Sequence, residues 1–473
     1  MESSPTVMAV KSTLPQAMQV ARNRQNEVVK SRLGAGANRL RRLIVLAIAA
    51  SSLAPATAAA AETSGTTRVV DRDRLQCANA GYTSIQSAVD EAAPGDVIRI
   101  CPDVYDETVT VDKPLTLWGD PDALEAEDCF SPAAVDPARH VIVDPDPVDG
   151  GFSVAFKLRA NDIVLEGIVV RGASVGIDTS DAFSGYRIHH NLVQANTLFG
   201  LDFGSEGTRE SRVDHNCIRD NRFGLVSELD DDSNWPFGPV GGERTARDLY
   251  NARIDHNASF RTGEGVALAG PGRRDLVTLD HNVSRDDGIG IALQNSTRSV
   301  IVGNEFASSS SAAILVGGAN EGLEIRSNIV RRGNFGVQFR SQGFVDFFAA
   351  PNRKVIVADN DVRDAGAGIV ATFGTLVDSL IAENTTSGNA RIGINMLGTG
   401  NIVRSNISDN NGLVGINALV GATGNRFEQN SMHGNAVLDA RDLNPLVNGM
   451  LPNVWIGNDC ETDFPAGAIC GVG

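Results

Sequence analysis

One short phrase keeps returning along this chain: an apolar-x-polar-Asn step, four or five polar residues, then a Gly that leads an alternating apolar strand. It reads HNCIRDNRFGLVS from His215, HNASFRTGEGVAL from His256 and HNVSRDDGIGIAL from His281. SNIVRRGNFGVQF from Ser327, DNDVRDAGAGIVA from Asp359 and SNISDNNGLVGINA from Ser405 continue the series. The marker asparagines are Asn191, Asn216, Asn257, Asn282, Asn304, Asn328, Asn360, Asn384, Asn406 and Asn430. The intervals between them run 25, 41, 25, 22, 24, 32, 24, 22 and 24. Seven of the nine fall between 22 and 25, and the other two require insertions.

A period near 24 with two or three short strands per repeat is one coil of a solenoid. Alternation turns one side of each strand inward, as with Ile254, Val266 and Leu268 in one coil and Leu279, Ile291 and Leu293 in the next. A lone coil cannot bury that side, but coils stacked at about 4.8 Å form one continuous apolar column. Asn suits the sharp turn, because it tolerates left-handed backbone and its amide can bond to the equivalent Asn one coil away. A leucine-rich repeat has a similar length, but its Leu-x-x-Leu-x-Leu frame is absent. The expectation is an all-β parallel β-helix of about 10–12 coils. Open solenoid ends invite edge pairing. An amphipathic helix over residues 83–92 is expected to plug the N-terminal end, within a cap and first strands spanning 62–118. Coils are expected over 119–435, and a disulfide-bearing cap over 436–473, where the period is lost.

Residues 1–61 read as export machinery. Asn38-Arg39-Leu40-Arg41-Arg42 is basic, Leu43 to Ala54 is apolar but too short to span a bilayer comfortably, and Ala56 to Ala61 supplies small residues for cleavage. No other apolar stretch is long enough to cross a membrane, so a secreted protein is expected. Losing residues 1–61 removes eight Lys/Arg and two Asp/Glu, which takes the charge from −17 to −23. So acidic a surface argues against nucleic acid and anionic membranes as partners, and the chain is expected to act as a monomer. All six cysteines follow the cleavage segment, an even number suited to an oxidising compartment. Proximity pairs Cys460 with Cys470 and Cys77 with Cys101, which leaves Cys129 for Cys217; the spacings match no zinc pattern.

Ile85-Gln86-x-Ala88-Val89-Asp90, Gly95-Asp96-x-Ile98, Tyr105-x-Glu107 and Lys113-x-Leu115-Thr116-Leu117-x-Gly119 together resemble the start of pectin-lyase-like right-handed β-helix proteins. The later coils resemble the generic repeat shared by polysaccharide lyases, hydrolases, epimerases and NosD-type periplasmic proteins. The resemblance spans about residues 77–460. It implies a right-handed fold and a polysaccharide as partner, but it does not single out a reaction, since this scaffold hosts many. Polygalacturonases would require Asn-Thr-Asp, Asp-Asp, Gly-His-Gly and Arg-Ile-Lys in order, and only Asp286-Asp287 is present. The Asp-Pro-His-Asp of alginate epimerases and the Trp-Ile-Asp-His of pectate lyases are missing.

Both long intervals put their extra residues after the Gly-led strand, from Glu228 to Asn251 and from Ser341 to Lys354. Four coils separate them, about 19 Å. Small or flat outward residues lie between them (Ala267, Ala269, Ala292, Gln294 and Leu315), so the two insertions are expected to wall a trough long enough for about four sugar units. Glu228, Trp235, Gln294, Gln338 and Arg340 are its candidate substrate contacts, with Trp235 and Phe237 placed to stack on a sugar face. On the opposite rim, Arg261, Glu264, Asp286 and Asp287 are the candidate catalytic group. Glu264 interrupts a register that is otherwise apolar or aromatic (Phe223, Ile289, Phe335). Carboxylates about 5 Å apart can share a proton for acid–base work or bind a hard cation. In uronate β-elimination a Ca²⁺ would neutralise the sugar carboxylate, while Arg261 or Arg340 took the proton. A non-catalytic binding scaffold is the alternative. Asp214, Asp255 and Asp280 form a column two places before the Asn and read as a solvated surface feature. His190, His215, His256 and His281, just before the Asn, read as tolerant turn positions.

Overall fold

In the computed structural model, residues 65–471 are described apart from 121–123, 125–128, 132–133, 147–151, 228–246, 270–271, 341–349 and 373–375. The expected leader, and Glu228, Trp235 and Phe237 of the first insertion, lie outside the described residues. The chain winds as a right-handed parallel β-solenoid of about 12 turns. Each coil contributes a strand to a first face, turns at the marker Asn, and runs a second short strand. It then turns again into the Gly-led third strand. In one coil these are Leu249–Asp255, Ala258–Phe260 and Glu264–Leu268. They pair in parallel with Arg274–Asp280, Val283–Arg285 and Ile289–Leu293 of the next. The register holds across the first long interval, where Arg212 pairs with Arg253 and Cys217 with Ala258. In three coils between residues 305 and 371 the second and third strands fuse into single long strands, Glu305–Val316, Ile329–Phe339 and Asp361–Ala371.

The residues expected to point inward do so. Ile254, Val266, Leu268, Leu279, Ile291 and Leu293 belong to one buried cluster that runs the length of the solenoid. Each such side chain contributes about 1.5–3 kcal/mol when fully buried. Beside this column runs a chain of asparagine amides. Asn216 Nδ2 and its backbone N–H both donate to Asn257 Oδ1, at 2.9 and 3.0 Å. The same pair of bonds links each marker Asn to the next from Asn191 as far as Asn458. One detail corrects the sequence reading: the left-handed residue is the one before the Asn. His190, His215, His256 and His281 have φ of 52°, 55°, 55° and 54°. The Asn is there to satisfy buried amides, which otherwise cost about 1–3 kcal/mol apiece.

The N-terminal helix is Ile85–Glu91, capped by Ser84 and burying Ile85, Ala88 and Val89. Glu107 binds its first turn, accepting from the N–H groups of Ile85 (2.7 Å) and Gln86 (2.9 Å). At the other end pairing continues past the expected boundary at 435. Val454–Ile456 extends the first face, and Trp455 stacks on Phe427 at 4.0 Å. Period is lost there in sequence because the turn before Val454 lengthens, setting Asn430 and Asn458 28 residues apart, and the next turn shortens, while the strands persist. Three disulfides close: Cys77–Cys101, Cys129–Cys217 and Cys460–Cys470. Among the described residues no helix is long and apolar enough to cross a membrane.

Candidate functional site

The three outward faces differ in what they offer. On the second face, Ile142, Val169, Leu192, Cys217 and Ala258 form a buried outer cluster with Cys129, and Phe130 and Phe260 pack against it. The Cys129–Cys217 bond ties that cover down. On the third face the outward residues Val175, Phe199, Val226, Ala267, Ile289, Ala292, Ala312 and Leu315 form a second buried apolar cluster. The floor expected for a trough is therefore closed to solvent: Ala267 is 0% and Ala292 2% exposed.

The candidate catalytic group does not assemble into one constellation. Glu264 is buried in the otherwise apolar column, in register with Ile289. Asp287 points inward, where Ser259 and Ser284 hydroxyls donate to one oxygen at 2.5 and 2.7 Å. The Thr262 N–H and hydroxyl bond its other oxygen at 2.8 and 3.0 Å. Burial pushes its pKa up, against the pull of those bonds. Asp286 instead faces solvent, at a left-handed turn position. Arg261, also exposed, pairs with Asp220 at 2.9 Å and lies over Phe260. With one carboxylate fully bonded inside and the other in solvent, Asp286 and Asp287 do not make a cage for Ca²⁺. Gln294 is buried, Gln338 half-buried and Arg340 exposed.

The first face is polar over successive coils, with Arg187 exposed and Arg212 and Arg253 half-buried at its surface. Trp118, Glu166, His189, Asp214, Asp255 and Asp280 follow one another in strict register. Beside the last four run Arg187, Arg212, Arg253 and Thr278. The aspartates, read from sequence as solvated, are buried and bonded. Arg212 makes a two-point bond to Asp255 of the next coil (2.7 and 2.6 Å), and Arg253 does the same to Asp280 (3.0 and 2.7 Å). Arg212 and His256 hold Asp255 below the usual carboxylate range even though burial pushes it up.

At the turn after this strand the four histidines stack. Ring centroids of His190, His215, His256 and His281 are 4.9, 5.0 and 5.1 Å apart and nearly parallel. Three of the rings are backed by the aspartate before them: Nδ1 lies 2.9, 2.8 and 2.9 Å from Asp214, Asp255 and Asp280. This fixes the tautomer and leaves Nε2 as the outward nitrogen. The stack ends where Gly303, which has no ring, takes the position.

His190 is the exception, because its predecessor is His189. The two Nδ1 atoms are 2.9 Å apart, and His189 Nε2 is 3.6 Å from Glu166 Oε2. Two neutral imidazoles that close must share a hydrogen. The consistent arrangement has His190 Nδ1–H donating to His189 Nδ1, with His189 Nε2–H directed at Glu166. Burial, reinforced by Arg187, depresses the His189 pKa to about 4, so the ring is neutral at physiological pH. Burial also lowers that of His190 and raises that of Glu166. Next door in the following coil, Asp214 is 1% exposed and its Oδ1 accepts no hydrogen bond; Arg212 Nε is 3.5 Å away. A carboxylate and two imidazoles thus converge, with Asp214 next to His189 in the strand register, an arrangement able to move a proton or hold an ion. Sequence reading passed over this group because Glu166 precedes the first marker Asn. The signal was the second His in Ile188-His189-His190-Asn191, where later coils have Asp.

Residues 245–378 match the family model described as a right-handed β-helix region. No curated protein matches the chain. Among solved structures, the chain is similar to a mannuronic acid specific polysaccharide family 6 lyase from human gut microbiota, at 14% identity, with 85% of this chain and 88% of the other covered and a TM-score of 0.44. It is also similar to a DFA-IIIase from Arthrobacter chlorophenolicus A6, at 16% identity, covering 80% of this chain and 87% of the other with a TM-score of 0.42. A third is the mannuronan C-5 epimerase A-module of Azotobacter vinelandii, at 10% identity, 80% and 91% coverage and a TM-score of 0.35.

Proposed function

We propose that this chain is an exported β-helix protein that binds an extracellular polysaccharide along its first face and acts on it at Glu166, His189 and His190. The observation that carries this reading is the contrast between faces. The second and third bury apolar clusters outside the core, whereas the first leaves a polar strip in register from Trp118 to Asp280. An extended polymer lying along the axis meets one set of side chains per coil, about every 4.8 Å. Trp118 and the accessible Arg187, Arg212 and Arg253 supply a stacking surface and donors to hydroxyl or carboxylate groups. His190, backed by His189 and Glu166, is the proton acceptor. Because Arg212 and Arg253 are each neutralised by an aspartate, the strip favours polar sugars over dense polyanions. Three disulfides in the mature region support export to an oxidising compartment.

The test is a screen of neutral and uronate glycans for binding and for product, with ultraviolet absorbance at unsaturated sugar ends separating a lyase from a hydrolase. Trp118→Ala is expected to weaken binding about tenfold, as loss of one stacking contact does. His190→Ala is expected to cut turnover at least 100-fold while binding changes little. Binding without any product would make the chain a scaffold. Binding that survives Trp118→Ala and Arg187→Ala unchanged would move the site off this face.

A further inference from the structure

We propose that Glu166, His189 and His190 form a binding site for a borderline divalent cation of the zinc type. Each of the three presents a ligand atom within 4.8 Å of those of the other two. Ligand atoms around one tetrahedral ion sit about 3.3 Å apart, so side-chain rotation of about an ångström per group closes the set. The donors decide which ion. Two imidazoles and one carboxylate suit zinc and its neighbours, while calcium and magnesium require oxygen cages. The 2.9 Å contact between His189 and His190 nitrogens is held by a proton in the metal-free arrangement, and it is the contact an ion takes over.

A second observation is independent of that triad. Asp214 pairs in register with His189, is buried to 1% exposure, and has an oxygen to which nothing donates. Arg212 Nε, 3.5 Å away, is its cationic neighbour without closing a hydrogen bond, so this oxygen keeps acceptor capacity one strand from His189. Arg187 lies 3.5 Å from one Asp214 oxygen and Arg212 3.5 Å from the other, so the negative charge offered to an ion is that of Glu166. The neighbouring stripe does not compete on equal terms. Rings stacked face to face at 5.0 Å, with Nδ1 bonded to aspartate, point their free nitrogens in parallel, so they do not converge on one ion.

The inference concerns the same three residues as the proposed glycan chemistry but does not rest on that reading: with an ion bound, His190 serves as ligand in place of proton acceptor, and the measurement is made without sugar. The purified mature protein, stripped with chelator, is titrated with ZnCl2 by calorimetry and with CoCl2 by visible absorbance. Expected are one site per chain, d–d bands of a four- or five-coordinate cobalt, and at least tenfold weaker affinity in His190→Ala and in Glu166→Gln. Glu166→Gln keeps shape and partial exposure, which covers the case in which a histidine variant misfolds. His281→Ala is expected to bind as the parent does. No binding by the parent, affinity unchanged in both triad variants, or affinity lost in His281→Ala would each overturn the proposal. Any of these would leave the glycan-binding test untouched.

Discussion

At the scale of single residues, Asp287 shows how a position can look chemical in sequence and prove structural. It occupies the second turn, where Asn196 and Asn221 of earlier coils and Asn389 and Asn411 of later ones bond from coil to coil. Its oxygens take four donors, a set that an Asn could meet by accepting at Oδ1 from Thr262 and donating Nδ2 to the serine hydroxyls, as asparagines at this turn both accept and donate. Asp287→Asn is therefore expected to fold normally, whereas Asp287→Ala leaves buried donors unpaired and should cost about 2–4 kcal/mol by chemical denaturation. The pH dependence has a definite sign. A buried acid with a raised folded pKa keeps its proton more readily than the unfolded chain does. Its contribution is full below the ordinary carboxylate range and is lost as pH rises through the folded pKa. Melting curves should thus show Asp287→Asn gaining on the parent as pH rises above the ordinary carboxylate range; a constant offset would contradict this. Glu264 teaches the converse. It was visible as an acid in an apolar register, and the structure keeps it there, buried, on a face whose floor is shut.

At the scale of the coil, the asparagine turn is what sequence revealed best. Residue spacing gave the coils, the inward Ile254–Leu279 column and the insertion points, because alternation and turn chemistry are local properties. The amide ladder was legible for the same reason, although its extension to Asn458 was hidden by a 28-residue spacing. What spacing could not give was which outward face stays open, because that depends on segments distant in sequence, such as Cys129 and Phe130 lying on Cys217 and Phe260. Nor could it give the bonding of Asp255 and Asp280, whose arginine partners come from the preceding coil. Removing one amide in mid-ladder tests the ladder's worth. Asn282→Ala breaks bonds to Asn257 above and Asn304 below. A loss of about 2–4 kcal/mol is expected, with midpoint measured in guanidinium. A loss under about 0.5 kcal/mol, the size of an ordinary surface substitution, would mean the turn is held by backbone pairing alone.

At the scale of the whole molecule, the three cross-links differ in what they constrain. Cys129–Cys217 closes 88 residues and Cys460–Cys470 only 10. Loop-closure entropy assigns them about 4–5 and about 2.5–3 kcal/mol. The double variant Cys129→Ala/Cys217→Ala should therefore lower the denaturation midpoint more than Cys460→Ala/Cys470→Ala. It should also expose the second face to a hydrophobic dye. Equal midpoints would place the value of the long link in packing alone.

The register of the first face carries one last consequence. Since His215, His256 and His281 differ only in which coil supplies them, the strip's composition is a matter of how many whole coils are threaded between its ends. Excising one complete repeat, from Asn257 through His281, would rejoin like with like and shorten the strip by one station. Losing half a repeat would set core side chains facing water. Length in such a protein changes in quanta, and descent with gain or loss of coils can retune the reach of its surface without redesigning a single turn.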